Sequence, residues 1–281
     1  MIPPKIYGLI GYPVKHSFSA IMHNATFKAL GINAEYKLFE KRPEELGYFL
    51  DSLSKENIYG LNVTIPYKEV VLKYLQWKSP EVKFTDAVNV IIVKDKSYLE
   101  GWNTDGIGFH RHLTMDLKFN PLGKSVVVLG AGGAAKAIIN QLARHGAKNI
   151  TIYDIDNDKS LNLAAKINKE FPKCNAIASD SIEKLDIKNA DLLINATPIG
   201  MKGDDPCLVD PDSLHPSLLV YDLIYNPPET KILKLAKQKG APISNGLGML
   251  LYQGVRSFEL WTGQKAPVEV MRKALREATS K

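Results

Sequence analysis

Cysteine is scarce in this sequence: Cys174 and Cys207 are the two among 281 residues. Two thiols so far apart build no disulfide framework and no zinc-type pair, and the expectation is reduced cysteines in a cytoplasmic protein. Long apolar runs are missing too. No run approaches the roughly 18 apolar residues that a spanning helix needs, so no membrane helix is expected. Met1-Ile2-Pro3-Pro4-Lys5 does not read as the start of a signal peptide. Blocks of like charge are also lacking. Lysine and arginine outnumber the acids 36 to 30, a net charge of +6. The basic residues are nevertheless scattered and no aromatic ladder interleaves them, so nucleic acid is not an expected partner. The excess suits small anions such as phosphates or carboxylates. The six histidines show no zinc-binding spacing, and no metal is expected. There is no internal repeat or low-complexity segment.

What is present is the material of an ordinary core. The chain is 45% hydrophobic and 23% charged, too apolar for disorder. At about 150 residues per domain, its length suggests two domains or one large one.

The periodicity alternates strands and helices. Residues 6–10 read as a buried strand, broken by Gly11-Tyr12-Pro13. A helix is expected over 20–30, closed by Gly31, and a second opens at Pro43. A strand over 59–65 is followed by Pro66, which is expected to start a helix carrying Tyr67 and Lys68. Residues 88–93 and 97–102 flank Lys94-Asp95-Lys96 as a hairpin. A helix over 104–117 leads to a second unit. There, 125–129 is a β-branched strand, followed by a glycine-rich turn, a helix to about His145 and a strand over 149–153 with Asp154 at its end. Later strands fall at 191–195 and 218–222, and helices at 247–261 and from Pro267. This predicts two α/β domains with a cleft between them: a substrate domain over 1–105, a doubly wound, Rossmann-type dinucleotide domain over 106–244, and C-terminal helices over 245–281 packing back on the first.

Gly130-Ala131-Gly132-Gly133-Ala134-Ala135 fits the glycine-rich dinucleotide fingerprint, in the required position between a strand and a helix. Gly130 allows the tight turn, Gly132 lets backbone approach a pyrophosphate, and Ala135 lets helix and strand pack closely. The helix start offers free N–H groups and a positive dipole end. Asp154 follows at close to the usual spacing of about 20 residues for an acid that binds the ribose hydroxyls. Its alternative role is to cap the next helix. Asp156 and Asp158 add like charge, Lys159 is the local cation, and a 2′-phosphate would be repelled; NAD is therefore expected over NADP.

Other polar residues stand where a plain core would not want them. Ser17 and Ser19 precede a helix and suit a carboxylate, or cap that helix. Lys68 follows a strand-turn and could equally be a surface lysine. Asp105 starts a helix, where capping is its ordinary use. Gln253 sits among apolar residues, where its ordinary place would face solvent.

Taken in order, these segments resemble the shikimate dehydrogenase family. Gly11-Tyr12-Pro13-Val14-Lys15-His16-Ser17-Phe18-Ser19 with His23-Asn24 is similar to its first motif and Asn62-Val63-Thr64-Ile65-Pro66-Tyr67-Lys68 to its second. Ala87-Val88-Asn89, Gly101-Trp102-Asn103-Thr104-Asp105-Gly106, Asn195-Ala196-Thr197-Pro198-Ile199-Gly200-Met201, Gly248-Met249-Leu250-Leu251-Tyr252-Gln253-Gly254 and Trp261-Thr262-Gly263 resemble those that follow, over almost the whole chain. The resemblance implies reversible, nicotinamide-dependent reduction of 3-dehydroshikimate to shikimate, in aromatic amino-acid biosynthesis. It implies that Ser17, Ser19 and Tyr225 hold the substrate carboxylate, that Thr64, Asn89 and Gln253 bind ring hydroxyls, and that Lys68 and Asp105 are the catalytic pair. It also implies that Gly130, Ala131, Gly132, Gly133, Ala134, Asp154, Thr197, Gly246 and Met249 line the cofactor. His16 and His23 are expected to be structural, holding the junction of loop and helix.

The sequence departs from the family at three places. Ala20 stands at a usual proline, Asp86 at a usual glycine, and Asp154-Ile155-Asp156 where many members carry Asn-Arg-Thr to grip a 2′-phosphate. Alternative readings are an NAD-dependent quinate/shikimate dehydrogenase of quinate catabolism, which quinate turnover would favour, and a non-catalytic dinucleotide-binding sensor, which any steady-state rate would eliminate. A Lys68 Schiff-base lyase would leave the glycine-rich turn unexplained. The chain is expected to be a monomer or homodimer.

Overall fold

The computed structural model describes residues 2–94 and 98–279. The chain divides into two compact units. One takes the residues up to Gly108 and those from Leu250 onward; the other is Phe109–Met249.

The first unit begins with β1 (Lys5–Gly11), α1 (Ser19–Ala29) and β2 (Ala34–Glu40), followed by α2 (Leu46–Ser52), β3 (Ile58–Val63), β4 (Trp77–Lys78), α3 (Pro80–Thr85), β5 (Val90–Val93), β6 (Leu99–Trp102) and the first turn of α4 (Asp105–Arg111), whose remainder belongs to the second unit. Its six strands lie in the order β2-β1-β3-β5-β6-β4. β1 pairs parallel with β2 and β3, whereas β3–β5 and β5–β6 are antiparallel. The short step from Val93 to Leu99 leaves no room for a crossover, so β6 must return antiparallel. The middle of the expected hairpin turn, residues 95–97, lies outside the described residues.

Side chains alternate across a strand, and β1 is buried on both faces. Ile6 and Ile10 pack with Leu46, Phe49, Leu50 and Leu61. Tyr7 and Leu9 pack with Met22, Phe27, Val255, Phe258 and Met271. That second layer is why this strand reads as an uninterrupted apolar run.

Several local expectations are corrected. Pro66 starts no helix: Tyr67 N donates to Thr64 O at 2.9 Å, and a 3-10 turn follows over Val70–Tyr74. The Tyr67 ring is buried and its hydroxyl is tied to Lys41 O, which holds the segment as a turn. The helix expected over 104–117 is α4 followed by a π-helical turn, His112–Asp116. β2 was not foreseen. It is a sheet edge whose Ala-Glu-Tyr-Lys-Leu-Phe-Glu sequence carries three charges. Asp86 has φ 51° and ends α3 in the left-handed region, the conformation for which a glycine is usual.

The second unit contains β7 (Ser125–Leu129), α5 (Gly133–Arg144), β8 (Asn149–Tyr153), α6 (Asn157–Glu170), β9 (Asn175–Ser179), β10 (Leu192–Asn195), β11 (Leu219–Asp222), α7 (Lys231–Gln238) and β12 (Ile243–Ser244). Its strands are all parallel, in the order β12-β11-β10-β7-β8-β9. This is a doubly wound sheet with its topological switch between β7 and β10. The sequence reading contains no β9, and α6 enters it only as the unbounded helix that Asp154 could cap. Register aligns Tyr153, Leu129, Asn195 and Asp222 along one carboxyl edge, so the loops after four strands leave the sheet together.

The chain ends with α8 (Leu247–Thr262), which begins in the second unit and continues in the first, and α9 (Val268–Thr279). Leu251, Val255, Phe258 and Met271 from these helices belong to the core beneath β1. Both cysteines are free. Among the described residues no helix is long and apolar enough to cross a membrane, and no cluster of three or more metal-ligating side chains occurs.

Candidate functional site

In the first unit, Lys68, Asn89, Asp105 and Gln253 converge from four separate segments. Lys68 Nζ donates to Asp105 Oδ2 at 2.6 Å, with side-chain exposures of 21% and 6%. Lys68 is thus no surface lysine. One of its three N–H groups is spent on Asp105 and two remain for an oxygen of a ligand. Asn89 Nδ2 donates to Asp105 Oδ1 at 2.7 Å and lies 3.4 Å from Gln253 Oε1. Asn89 Oδ1 accepts Thr104 N at 2.8 Å. Asp105 N is bound by Asn103 Oδ1 at 3.0 Å, so capping at α4 falls to Asn103 and the Asp105 carboxylate is free to face Lys68. Gln253 is buried, and its Nε2 donates to Leu250 O at 3.1 Å.

Ser17 and Ser19 come together, their hydroxyls 3.2 Å apart, and Ser19 N donates to Ser17 Oγ at 3.3 Å. Neither is the helix cap. Phe18 holds that position, with no side-chain cap bond. The paired hydroxyls stand at the first turn of an 11-residue helix, a setting that favours an anion. Behind them the buried Tyr36 hydroxyl meets Ser19 and donates to Asn62 Oδ1 at 2.8 Å. Asn62 Nδ2 donates to Ser257 Oγ at 3.0 Å and Asn89 O at 3.2 Å. A continuous polar chain therefore joins the serine pair to Asn89. Thr64 is half-buried beside this chain, with its N–H on Ile10 O at 3.0 Å.

His16 is exposed. His23 is buried within α1, neither ring nitrogen has a partner, and it stacks on Tyr36 at 4.6 Å. It is a packing residue and does not tie the loop to the helix through hydrogen bonds.

In the second unit, Gly130 has φ 103°, and a Cβ there would stand 2.9 Å from Ala196 O. The turns after β7 and β10 touch at this point, so only glycine fits. Gly132 caps α5, and a Cβ there would meet nothing within 4 Å. Gly132 is exposed and Gly133 and Ala134 are half-buried at the start of a 12-residue helix, a setting that fits a dinucleotide pyrophosphate. Ala131 and Ala135 are fully buried.

Asp154 caps no helix. Its Oδ2 accepts Ala131 N at 2.7 Å and its Oδ1 accepts Asp156 N at 2.9 Å, so it braces the glycine-rich turn. Ile155 is 94% exposed, and Lys159 pairs with Asp156 at 3.3 Å. Thr197 is tied to Asn195 Oδ1 through its hydroxyl, at 2.7 Å, and its N–H, at 3.1 Å. Tyr225 is half-buried, and burial pushes its hydroxyl pKa up. Gly246 lies against Leu223, where a Cβ would fall 2.0 Å from the carbonyl oxygen, and Met249 is nearly buried.

The sequence reading missed Tyr36, Asn62, Thr104, Ser257, Asp222 and Thr230, all buried and all hydrogen-bonded in these networks. Asn62, inside the strand Leu61-Asn62-Val63, carried the visible signal: an amide in an apolar run needs buried partners.

Known proteins share both halves. Residues 9–91 match the family described as the shikimate dehydrogenase substrate binding domain, and residues 246–276 match the shikimate 5'-dehydrogenase C-terminal domain. Residues 126–202 match the saccharopine dehydrogenase NADP binding domain. The chain is 45% identical over 276 residues to a shikimate dehydrogenase (NADP(+)) of Methanopyrus kandleri, covering 97% of this chain and 95% of that one. A crystal structure of a shikimate dehydrogenase in complex with NADP+ superposes with a TM-score of 0.91 at 40% identity, covering 99% of this chain and 96% of the other. One from Listeria monocytogenes, in complex with shikimate and NAD, gives 0.87 at 36% identity, covering 97% and 96%.

Proposed function

This chain belongs to the shikimate dehydrogenase family, and on that premise we propose that it catalyses the reversible reduction of 3-dehydroshikimate to shikimate with a nicotinamide dinucleotide. The observation that carries the reading is the Lys68–Asp105 pair, 2.6 Å long and mostly out of water, beside Asn89 and Gln253. The four side chains satisfy one another at one mostly buried spot and still leave Lys68 N–H donors for a ligand oxygen, the arrangement expected of a site that handles a polar substrate. The relatives' names do not favour quinate as the principal substrate.

When bound, the nicotinamide ring supplies or accepts the hydride at the ring carbon. The chain supplies the rest. The Lys68 ammonium donates a proton to the substrate oxygen in the reductive direction and takes it back in the oxidative one. Asp105 orients that ammonium and keeps its charge balanced. Asn89, Gln253 and Thr64 fix the ring hydroxyls, and Ser17 and Ser19, with Tyr225, hold the carboxylate. The N–H groups from Gly132 to Ala134 receive the pyrophosphate.

The names of the relatives weigh toward NADP, against the NAD preference expected from the sequence. One observation favours NAD as a second reading. A 2′-phosphate at the end of β8 would meet Asp154 and Asp156, next to a lysine already paired with Asp156 and an exposed Ile155 where an arginine is usual. Like charges at such range repel. Shikimate oxidation assayed side by side with NADP+ and NAD+, on wild type and Ile155→Arg, decides it. The NADP reading expects a higher kcat/KM with NADP+ in the wild type. The NAD reading expects the reverse, with Ile155→Arg shifting the ratio toward NADP+ by about tenfold, the effect of one charge-assisted contact. Absence of turnover with either cofactor would overturn the proposed activity.

A further inference from the structure

Asp222 closes β11 and is fully buried. Its hydrogen-bond donors are all neutral: Asn195 Nδ2 at 3.1 Å and Ile224 N at 3.0 Å on Oδ1, and Thr230 Oγ1 at 2.6 Å on Oδ2. Burial pushes its pKa up, against the pull of these three donors. A carboxylate held out of water with no cation beside it is costly, and a strand end by itself needs no acid.

The donors share one property, which is where their segments lead. Asn195 holds Thr197 with its Oδ1 and Ile199 O with its Nδ2 at 3.0 Å, shaping the loop after β10. Ile224 N, together with Leu223 N on Asn195 O at 2.9 Å, fixes the start of the loop that carries Tyr225. Leu223 O is also the surface on which Gly246 rests. Thr230 begins α7 and packs on Gly200, where a Cβ would lie 3.3 Å from Thr230 Cβ. An asparagine would be a poorer hub. With its oxygen on the two donors at Oδ1, its NH2 would face Thr230, whose hydroxyl would then have to accept in place of donating.

We infer that Asp222 is a positioning residue for both ligands, one buried carboxylate that sets the loops bearing Thr197 and Gly246 for the dinucleotide and the loop bearing Tyr225 for the substrate carboxylate. The inference rests on the shikimate dehydrogenase reading given above. It deepens that reading by tying the two binding constants to a side chain that touches neither ligand.

The test compares Asp222→Asn, Thr230→Val and Thr230→Ser with wild type. Binding of NADP+, NAD+ and shikimate is measured by titration calorimetry, alongside steady-state kinetics and thermal unfolding. Asp222→Asn and Thr230→Val should weaken the dinucleotide and shikimate together, each by about tenfold, with kcat at saturation within about threefold of wild type. Thr230→Ser, which keeps the hydroxyl, should bind both within about twofold of wild type. If Asp222→Asn does not fold, the Thr230 pair carries the comparison. Lowered thermal stability with both binding constants unchanged, or weakening of one ligand alone, overturns the inference. Failure of the activity reading shows differently: wild type would neither bind nor turn over shikimate, while the dinucleotide titrations would still report whether Asp222 sets Thr197 and Gly246.

Discussion

Asn89 and Asp105 are 16 residues apart in the chain, and their side chains meet at 2.7 Å. Asn89 occupies Oδ1 of the carboxylate and Lys68 occupies Oδ2. The carboxylate is thereby held by two partners, and the lysine has one preferred direction.

Lys68→Ala should lower kcat for shikimate oxidation by about 10²- to 10⁴-fold, the usual contribution of a positioned proton donor. Shikimate binding should weaken far less, because the carboxylate and hydroxyl contacts remain. Steady-state kinetics with calorimetry separates the two. A loss confined to KM would remove Lys68 from the proton transfer.

Ser19→Ala removes one of two hydroxyls that stand 3.2 Å apart at the start of α1. A hydrogen bond to a charged carboxylate is worth about 1.5–3 kcal/mol. The KM for shikimate should rise by about 10- to 100-fold, with kcat nearly unchanged. Comparing shikimate with its methyl ester checks the assignment: the variant should discriminate less between them than wild type does.

Gly130→Ala and Gly132→Ala should fail in different ways. At Gly130 the backbone has φ 103° and the new methyl would press on Ala196 O, costing about 1–3 kcal/mol of stability. At Gly132 the φ is −74° and the methyl meets no protein atom. That variant should unfold like wild type and yet bind the dinucleotide at least about tenfold more weakly, because the methyl occupies the approach to the helix N-terminus. Chemical denaturation and cofactor titration distinguish the two effects.

Burial lowers the His23 pKa from its ordinary 6.5 to about 3. The unfolded chain therefore takes up a proton near pH 6.5, and the native state does so near 3. The stability that neutral His23 contributes is fully present above pH 6.5 and is lost as pH falls toward 3. At pH 5 the loss is about 2 kcal/mol, from roughly 1.4 kcal/mol per pH unit. His23→Phe keeps an aromatic ring on Tyr36 and removes the titration. Its urea-unfolding free energy should fall less between pH 7 and pH 5 than that of wild type, and an equal fall would refute the assignment.

What could be read directly was local. The strand at β7, the positive-φ glycine after it, the helix behind it and the acid at the end of β8 follow from residue types at short spacing, because turns and helix starts are settled within a few residues. The left-handed Asp86 was signalled only by the glycine usual at that place in the resembled family. β2 and the extent of α6 were not legible, since their polar composition signals no burial and their place depends on neighbours distant in sequence. Asp154 was legible as a position and as an acid suited to the ribose hydroxyls, but not as the brace of the glycine-rich turn. That it braces the glycine-rich turn is visible only once its two oxygens have partners.

The sequence by itself determined the class of fold, the dinucleotide turn and the residue types available for proton transfer and anion binding, all matters of local conformation and composition. Tertiary structure alone decided that Asn89 meets Gln253 across 164 residues, that Asn62 meets Ser257 across 195, and that Asp222 gathers Asn195 and Thr230. Buried polar groups must find partners wherever the packed chain brings them, and no spacing along the chain records which partner that will be.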